Sequence, residues 1–229
     1  MGSAKNKITF FDLDHTLLPI DSDYAWGEFT QAIGWTDPVE FKRRNDAFFE
    51  HYKAGTLDVH DYVRFAVEAI RIRSEAEYRE AHARFMREVI RPVVLPAALN
   101  LIRRHRAAGD TVAVITATNE LVTRPIADAL EIEELIAVEL ERDGAGWITG
   151  EISGVPSLGA GKVVRATHWL AQRGTDWLDV ETTFYSDSMN DLPLLEQVDH
   201  PVATNPDPRL RTLALERGWR VLDLFAKPQ

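Results

Sequence analysis

The chain has 229 residues, 45% of them hydrophobic, which is enough for one good-sized domain or a domain with a large insertion and excludes wholesale disorder. With 26 Lys and Arg against 36 Asp and Glu the net charge is −10, so a phosphate backbone would repel the protein and no nucleic-acid partner is expected. Cysteine is absent, which removes disulfides, thiolate catalysis and Cys-based zinc sites, and no apolar run approaches the roughly 18 residues that mark a membrane span.

The N-terminus has no apolar signal core and Gly2-Ser3-Ala4 reads as an expression remnant, so a soluble, cytoplasmic protein is expected. The first element, Ile8-Thr9-Phe10-Phe11, is short, β-branched and aromatic, as a buried parallel strand is, and it stops at Asp12-Leu13-Asp14. From about Asp21 to Arg91 no strand-like run occurs, whereas helix starts recur: Asp37-Pro38 supplies an N-cap with Pro at N1, and Ser74-Glu75-Ala76-Glu77 matches a capping box. Such a length far exceeds an ordinary βα connection, so it reads as an inserted helical subdomain, with Pro92 and Pro96 marking the return. Twelve of the 21 aromatic residues fall in it, enough for a small core of its own.

Beyond the insertion, a helix over Pro96–Ala108 closes at Gly109 and leads into a strand Thr111–Thr116. Helix Glu120–Leu130, strand Ile136–Leu140 and a hairpin through Asp143-Gly144-Ala145-Gly146 into Trp147-Ile148-Thr149 follow. Helix Gly161–Gln172, strand Thr182–Ser186, helix Asp191–Gln197 and strand Pro201–Thr204 complete the pattern. This alternation predicts an α/β fold with a doubly wound parallel sheet.

Ligands of such sheets bind beyond the carboxyl ends of the strands. There the sequence places Asp12 and Asp14, then Thr116, Ala117 and Thr118, then Asp187, Asn190 and Asp191, while Lys162 opens a helix behind Gly159 and Gly161. Carboxylates without a nearby arginine call for a hard divalent cation such as Mg²⁺, and a lysine and a hydroxyl beside that cation suit a phosphoryl group. Each part has a bland reading alone: Asp-x-Asp as a turn or cap, Thr116 as a strand end, Lys162 as a solvated helix residue. Gly159-Ala160-Gly161-Lys162 fails as a P-loop, because Pro156 and Val163 occupy required positions. His15 reads as a bystander, and the seven histidines show no zinc spacing.

Taken together, Phe11-Asp12-Leu13-Asp14-His15-Thr16-Leu17, Val114-Ile115-Thr116, Lys162 and Tyr185-Ser186-Asp187-Ser188-Met189-Asn190-Asp191 resemble, in order, the four motifs of the haloacid dehalogenase superfamily. Ser186 stands where glycine is usual. The helical insertion resembles the cap of the phosphoserine-phosphatase-like and histidinol-phosphatase-like branch. The resemblance implies a Rossmann-like core of residues 1–20 and 92–229 with a helical cap over 21–91. It implies Asp12 as nucleophile through an aspartyl-phosphate and Asp14 as general acid and base. Mg²⁺ would lie on the Asp12 carboxylate, the Asp14 carbonyl and Asp187, with Asp191 in contact or close behind. Thr116, the Ala117 amide and Lys162 would bind phosphoryl oxygens, and Asn190 would orient the site.

Phosphoserine phosphatases of that branch carry a glutamate nine residues after the nucleophile and a cap arginine for the substrate carboxylate. Here these positions hold Asp21 and Ala66, with Arg64 two residues away. Acids and aromatics in the cap without a matched arginine suit a small aminated phosphomonoester without a carboxylate. The segment Asp21-Ser22-Asp23-Tyr24-Ala25-Trp26-Gly27, with Arg43-Arg44-Asn45-Asp46, resembles bacterial phosphatases of this branch that act on histidinol phosphate, which makes that ester the first guess, with Asp21 as a substrate contact and phosphoserine as the alternative. The same residues leave a phosphotransferase or mutase and a non-catalytic phosphate-binding module open.

Overall fold

The computed structural model of the chain describes residues 5–225; Gly2-Ser3-Ala4 and residues 226–229 lie outside the described residues. The first predicted strand is the buried part of β1 (Asn6–Phe11). It joins β2 (Thr111–Asn119), β3 (Glu134–Val138), β6 (Val180–Ser186), β7 (His200–Thr204) and β8 (Arg220–Leu222) in one sheet of order β3-β2-β1-β6-β7-β8. Every pairing in it is parallel. Side chains alternate between its faces. Ile8, Phe10, Ala113, Ile115 and Phe184 meet α8 (Ala160–Gln172), α9 (Leu192–Leu195) and α10 (Pro208–Glu216). Phe11, Val112, Val114 and Tyr185 meet α6 (Pro96–Ala107) and α7 (Glu120–Ala129). Burial of one such side chain as Phe10 or Phe11 stabilises by roughly 1.5–3 kcal/mol.

Residues 22–85 form α1 (Ser22–Ala32), α2 (Pro38–Ala54), α3 (Val59–Ala66), α4 (Glu68–Arg71) and α5 (Glu75–Phe85). The sequence signals hold at atomic detail. The Asp37 carboxylate accepts from the amides of Val39 and Glu40 at the start of α2, and Ser74 and Glu77 form both bonds of the capping box of α5. A π-helical turn over Met86–Ile90 and a 3-10 turn over Arg91–Val93 lead to Pro96, the first residue of α6.

The expected separate aromatic core forms only in part. Phe41, Phe48, Tyr62 and Phe65 pack together at 4.8–6.4 Å between ring centroids. Trp26, Phe29, Tyr78 and Phe85 instead join the core that covers the sheet, with Leu13, Leu17 and Val122. Tyr78 donates to the Leu121 carbonyl at 2.6 Å, and His82 to that of Val122 at 3.1 Å, so α5 is pinned to the first turn of α7 by side chains reaching its carbonyls.

Several boundaries move. β2 runs three residues past Thr116 because Asn119 both ends it and caps α7, accepting from Val122 N. The predicted strand Ile136–Leu140 is split. β3 ends at Val138, and Leu140 opens a separate hairpin of β4 (Leu140–Arg142) and β5 (Ile148–Ile152), whose turn the Asp143 carboxylate closes on Ala145 N and Trp147 N. The predicted helix Asp191–Gln197 shortens to a 3-10 turn over Met189–Asp191 and the four-residue α9. Helix α10 and edge strand β8 were not predicted from the sequence. Among the described residues no helix is long and apolar enough to cross a membrane.

Candidate active site

β1 and β6 lie side by side in register, Phe11 opposite Tyr185, and the chains leave both strands at the same level. Asp12 N continues the ladder by donating to Tyr185 O at 2.9 Å, which holds the first aspartate rigidly at the switch point of the strand order. Asp12 is 7% exposed, and its carboxylate accepts Lys162 Nζ at 2.7 Å. The same buried ammonium donates to Asp191 Oδ2 at 2.7 Å. Burial opposes the charge on Lys162, but the two carboxylates outweigh it and push its pKa upward.

The reason Lys162 can reach this point lies in the two glycines just before it. A Cβ on Gly161 would sit 2.1 Å from the Pro156 carbonyl oxygen, so only glycine lets the loop close over the start of α8. Gly159 supplies the left-handed turn, φ 55°, that starts the helix. Ser186, the departure from the usual glycine, is built into the site: its hydroxyl donates to Asp191 Oδ2 at 2.7 Å and accepts Ser188 N at 3.2 Å. A fully buried serine thus fixes the carboxylate that fixes the lysine.

Thr16, also fully buried, donates toward both Asp12 Oδ2 and Asp187 Oδ1, each at 3.3 Å, and so brings these carboxylates together. Burial first, then Asp12 and Asp191, pushes the Asp187 carboxyl up to about 9, and burial raises Asp12 to about 6 against the pull of Lys162. Asp14 turns the other way. Its Oδ1 accepts Ser22 N at 2.7 Å and its Oδ2 accepts Thr118 Oγ1 at 2.9 Å. Loss of water, followed by the nearby Asp21 charge, raises its pKa well above the usual carboxylate range. Thr116 is buried at the end of the Val114-Ile115 run, its hydroxyl accepting Thr118 N at 3.2 Å, with Ala117 between them. His15, exposed with φ 56°, makes the tight turn after Asp14 and offers its carbonyl to Asn205 Nδ2 at 2.9 Å.

Asp21 caps α1 by accepting Tyr24 N at 2.8 Å, and its charge acts on Asp14. Asn190 sits in the turn after β6, its amide donating to Ser188 Oγ. Tyr52 of α2 was not singled out from the sequence. Its hydroxyl interacts with the side chains of Ser188 and Asn190, and burial lifts it to about 12. Asp23 of α1 and Tyr62 of α3, whose hydroxyl donates to Asp23 Oδ2, were missed as well. The one available signal was the acidic run Asp21-Ser22-Asp23, which has no basic residue beside it.

Four side chains do not converge as one metal cage; among the described residues no three His, Asp or Glu side chains gather tightly enough to hold a cation alone. Lys162 stands between Asp12 and Asp191, and Asp14 faces Ser22 and Thr118. The Asp12 and Asp187 pair still fits Mg²⁺, which usually takes one or two carboxylates and keeps several waters. The donors are hard oxygens. Asp12 and Asp191 share one lysine, and the half-buried Asp187 lies beside them, so three ionised carboxylates here would exceed the single positive charge by an amount that a divalent ion neutralises.

Residues 9–196 match the model of the haloacid dehalogenase-like hydrolase family. A histidinol-phosphatase of Neisseria meningitidis serogroup C (strain 8013) is 40% identical over 94% of this chain and 98% of its own. A protein of unknown function from Bordetella pertussis Tohama I has the same structure at TM-score 0.91 and 47% identity, over 97% of this chain and all of that one. A substrate-bound phosphoserine phosphatase shares the fold at TM-score 0.66 and 18% identity, over 96% of this chain and 94% of its own. The mostly parallel sheet, the motif order and these relatives agree: the chain belongs to the haloacid dehalogenase-like hydrolase family and is an enzyme of its phosphatase branch.

Proposed function

We propose that the enzyme is a Mg²⁺-dependent phosphomonoesterase that works through an aspartyl-phosphate on Asp12, with a small phosphorylated metabolite as substrate and histidinol phosphate as first candidate. The observation that carries this reading is the buried Lys162 shared by Asp12 and Asp191, with Asp187 tied to Asp12 through Thr16, at the carboxyl ends of the two central strands. The Asp12 and Asp187 carboxylates and the Asp14 carbonyl would hold Mg²⁺, with Asp191 close behind. When bound, the ion offsets the repulsion between a carboxylate and a phosphate dianion.

Asp12 attacks phosphorus, its oxygen–phosphorus bond forming as the ester P–O bond breaks. Asp14, whose raised pKa keeps a proton on it, gives that proton to the departing alkoxide. It then takes a proton from the water that attacks the acyl phosphate, which releases inorganic phosphate and restores Asp12. Lys162, Thr116, the Ala117 amide and Asn190 bind phosphoryl oxygens through the sequence. Asp191 and Ser186 hold Lys162 in place. Residues 21–91 act as the cap that shuts out water, a reading supported by the reach of Tyr52 to Ser188 and Asn190.

The substrate choice is supported by the 40% identical relative and by Arg64. That arginine, two residues before the Ala66 position in sequence, is already engaged by Asp61 and Glu151. The test is phosphate release from a panel of esters with and without Mg²⁺, for the wild type beside Asp12→Asn. Release that needs Mg²⁺ and disappears in Asp12→Asn is the expected result. Undiminished release by Asp12→Asn, or none from any ester, overturns the proposal; transfer to an added alcohol acceptor in place of water would make the enzyme a phosphotransferase.

A further inference from the structure

We propose that Asp23 and Tyr62 form the subsite for the alcohol end of the substrate and select alcohols that carry a positive charge. This rests on the phosphatase reading above, which places the leaving oxygen beside Asp14. The rest of the alcohol must then extend away from Lys162, past Asp14, toward α1 and α3. In that direction the structure holds Asp21, then Asp23 with the Tyr62 hydroxyl on its Oδ2. Asp21 acts on Asp14 and on Asp23, and the Tyr62 hydroxyl lies within the field of Asp23, Asp21 and Asp14. The charged neighbours that act most strongly on these groups are all carboxylates.

A second feature ties these acids to the reacting groups. Ser22, between the two acids and fully buried, donates its backbone N–H to Asp14 Oδ1 at 2.7 Å and turns its hydroxyl to the same carboxylate, so the first turn of α1, with Asp21 and Asp23, starts beside Asp14. An ammonium or imidazolium would supply the counter-charge to Asp23 and Asp21. The Tyr62 ring, edge-on to Phe48 at 5.4 Å, offers an apolar wall to the carbon chain. An alcohol bearing a carboxylate would meet two like charges at the same place. Burial lifts Asp23 to about 7, the mark of a carboxyl lacking a cation, and a bound cation would draw it back down.

The experiment compares kcat/KM for histidinol phosphate and phosphoethanolamine with that for glycerol 3-phosphate and phosphoserine, in the wild type, Asp23→Asn and Tyr62→Phe. The wild type should favour the two cationic esters, and the preference ratio should fall roughly tenfold or more in Asp23→Asn, chiefly through KM. A smaller fall in the same ratio is expected for Tyr62→Phe. The wild-type comparison stands even if a variant fails to fold. Activity without a preference for cationic esters, or a ratio unmoved by Asp23→Asn, overturns this inference and leaves the phosphatase reading intact. Wild type that releases no phosphate from any ester defeats that reading itself.

Discussion

His82 makes a stability prediction that can be worked through from its surroundings. It lies on α5, 3% exposed, ringed by Trp26, Tyr78 and Phe85 at 5.3–5.6 Å between centroids. Its Nε2 faces the Val122 carbonyl and must therefore carry the hydrogen, so the neutral ring already satisfies its one buried partner. Burial pushes its pKa down from 6.5 to about 4. The folded protein thus refuses a proton that the unfolded chain accepts below about pH 6.5, and stability is lost as pH falls from there to about 4. At about 1.36 kcal/mol per pH unit the full loss is about 3 kcal/mol. The measurement is urea unfolding between pH 7.5 and pH 4 for the wild type and for His82→Gln, which keeps a donor for Val122 but does not titrate. Taking the difference removes the contributions of the buried carboxylates, which the two proteins share. The wild type should lose about 3 kcal/mol more than the variant across this range. Parallel curves would refute the argument and mean that His82 takes up its proton in the folded state without cost.

The loop before Lys162 and the unusual serine give two more predictions. Gly161→Ala forces a Cβ against the Pro156 carbonyl, so it should destabilise the protein by about 1–3 kcal/mol and lower kcat more than KM as Lys162 shifts. Wild-type melting and turnover would show that the loop gives way freely. Ser186→Ala removes a donor from the buried Asp191 carboxylate and should cost about 2 kcal/mol in urea unfolding. No change in the unfolding midpoint would mean that another group replaces the hydroxyl.

Local chemistry was legible in the sequence because every one of its groups except Lys162 follows a strand end directly. A short apolar run that stops at Asp12-Leu13-Asp14, or at Ser186-Asp187, declares both a buried strand and the place where its side chains emerge. Caps at Asp37 and Ser74 were readable for the same reason, since a cap is an interaction over two or three residues. Strand β8 was not, because three residues carry no periodicity and only pairing with β7 makes them a strand.

The order of the motifs along the chain thus followed from sequence alone, as did the fold class. What only the tertiary structure decided was which groups share which charge. Lys162 reaches Asp12 across 150 positions and Asp191 across 29, Thr16 reaches Asp187 across 171, and Tyr62 reaches Asp23 across 39. Nothing in a run of residues encodes such distances. They are set by the register of β1 against β6 and by the packing of helices over the sheet, where exclusion of water turns a few ångströms between carboxylates into raised pKa values and a site demanding positive charge.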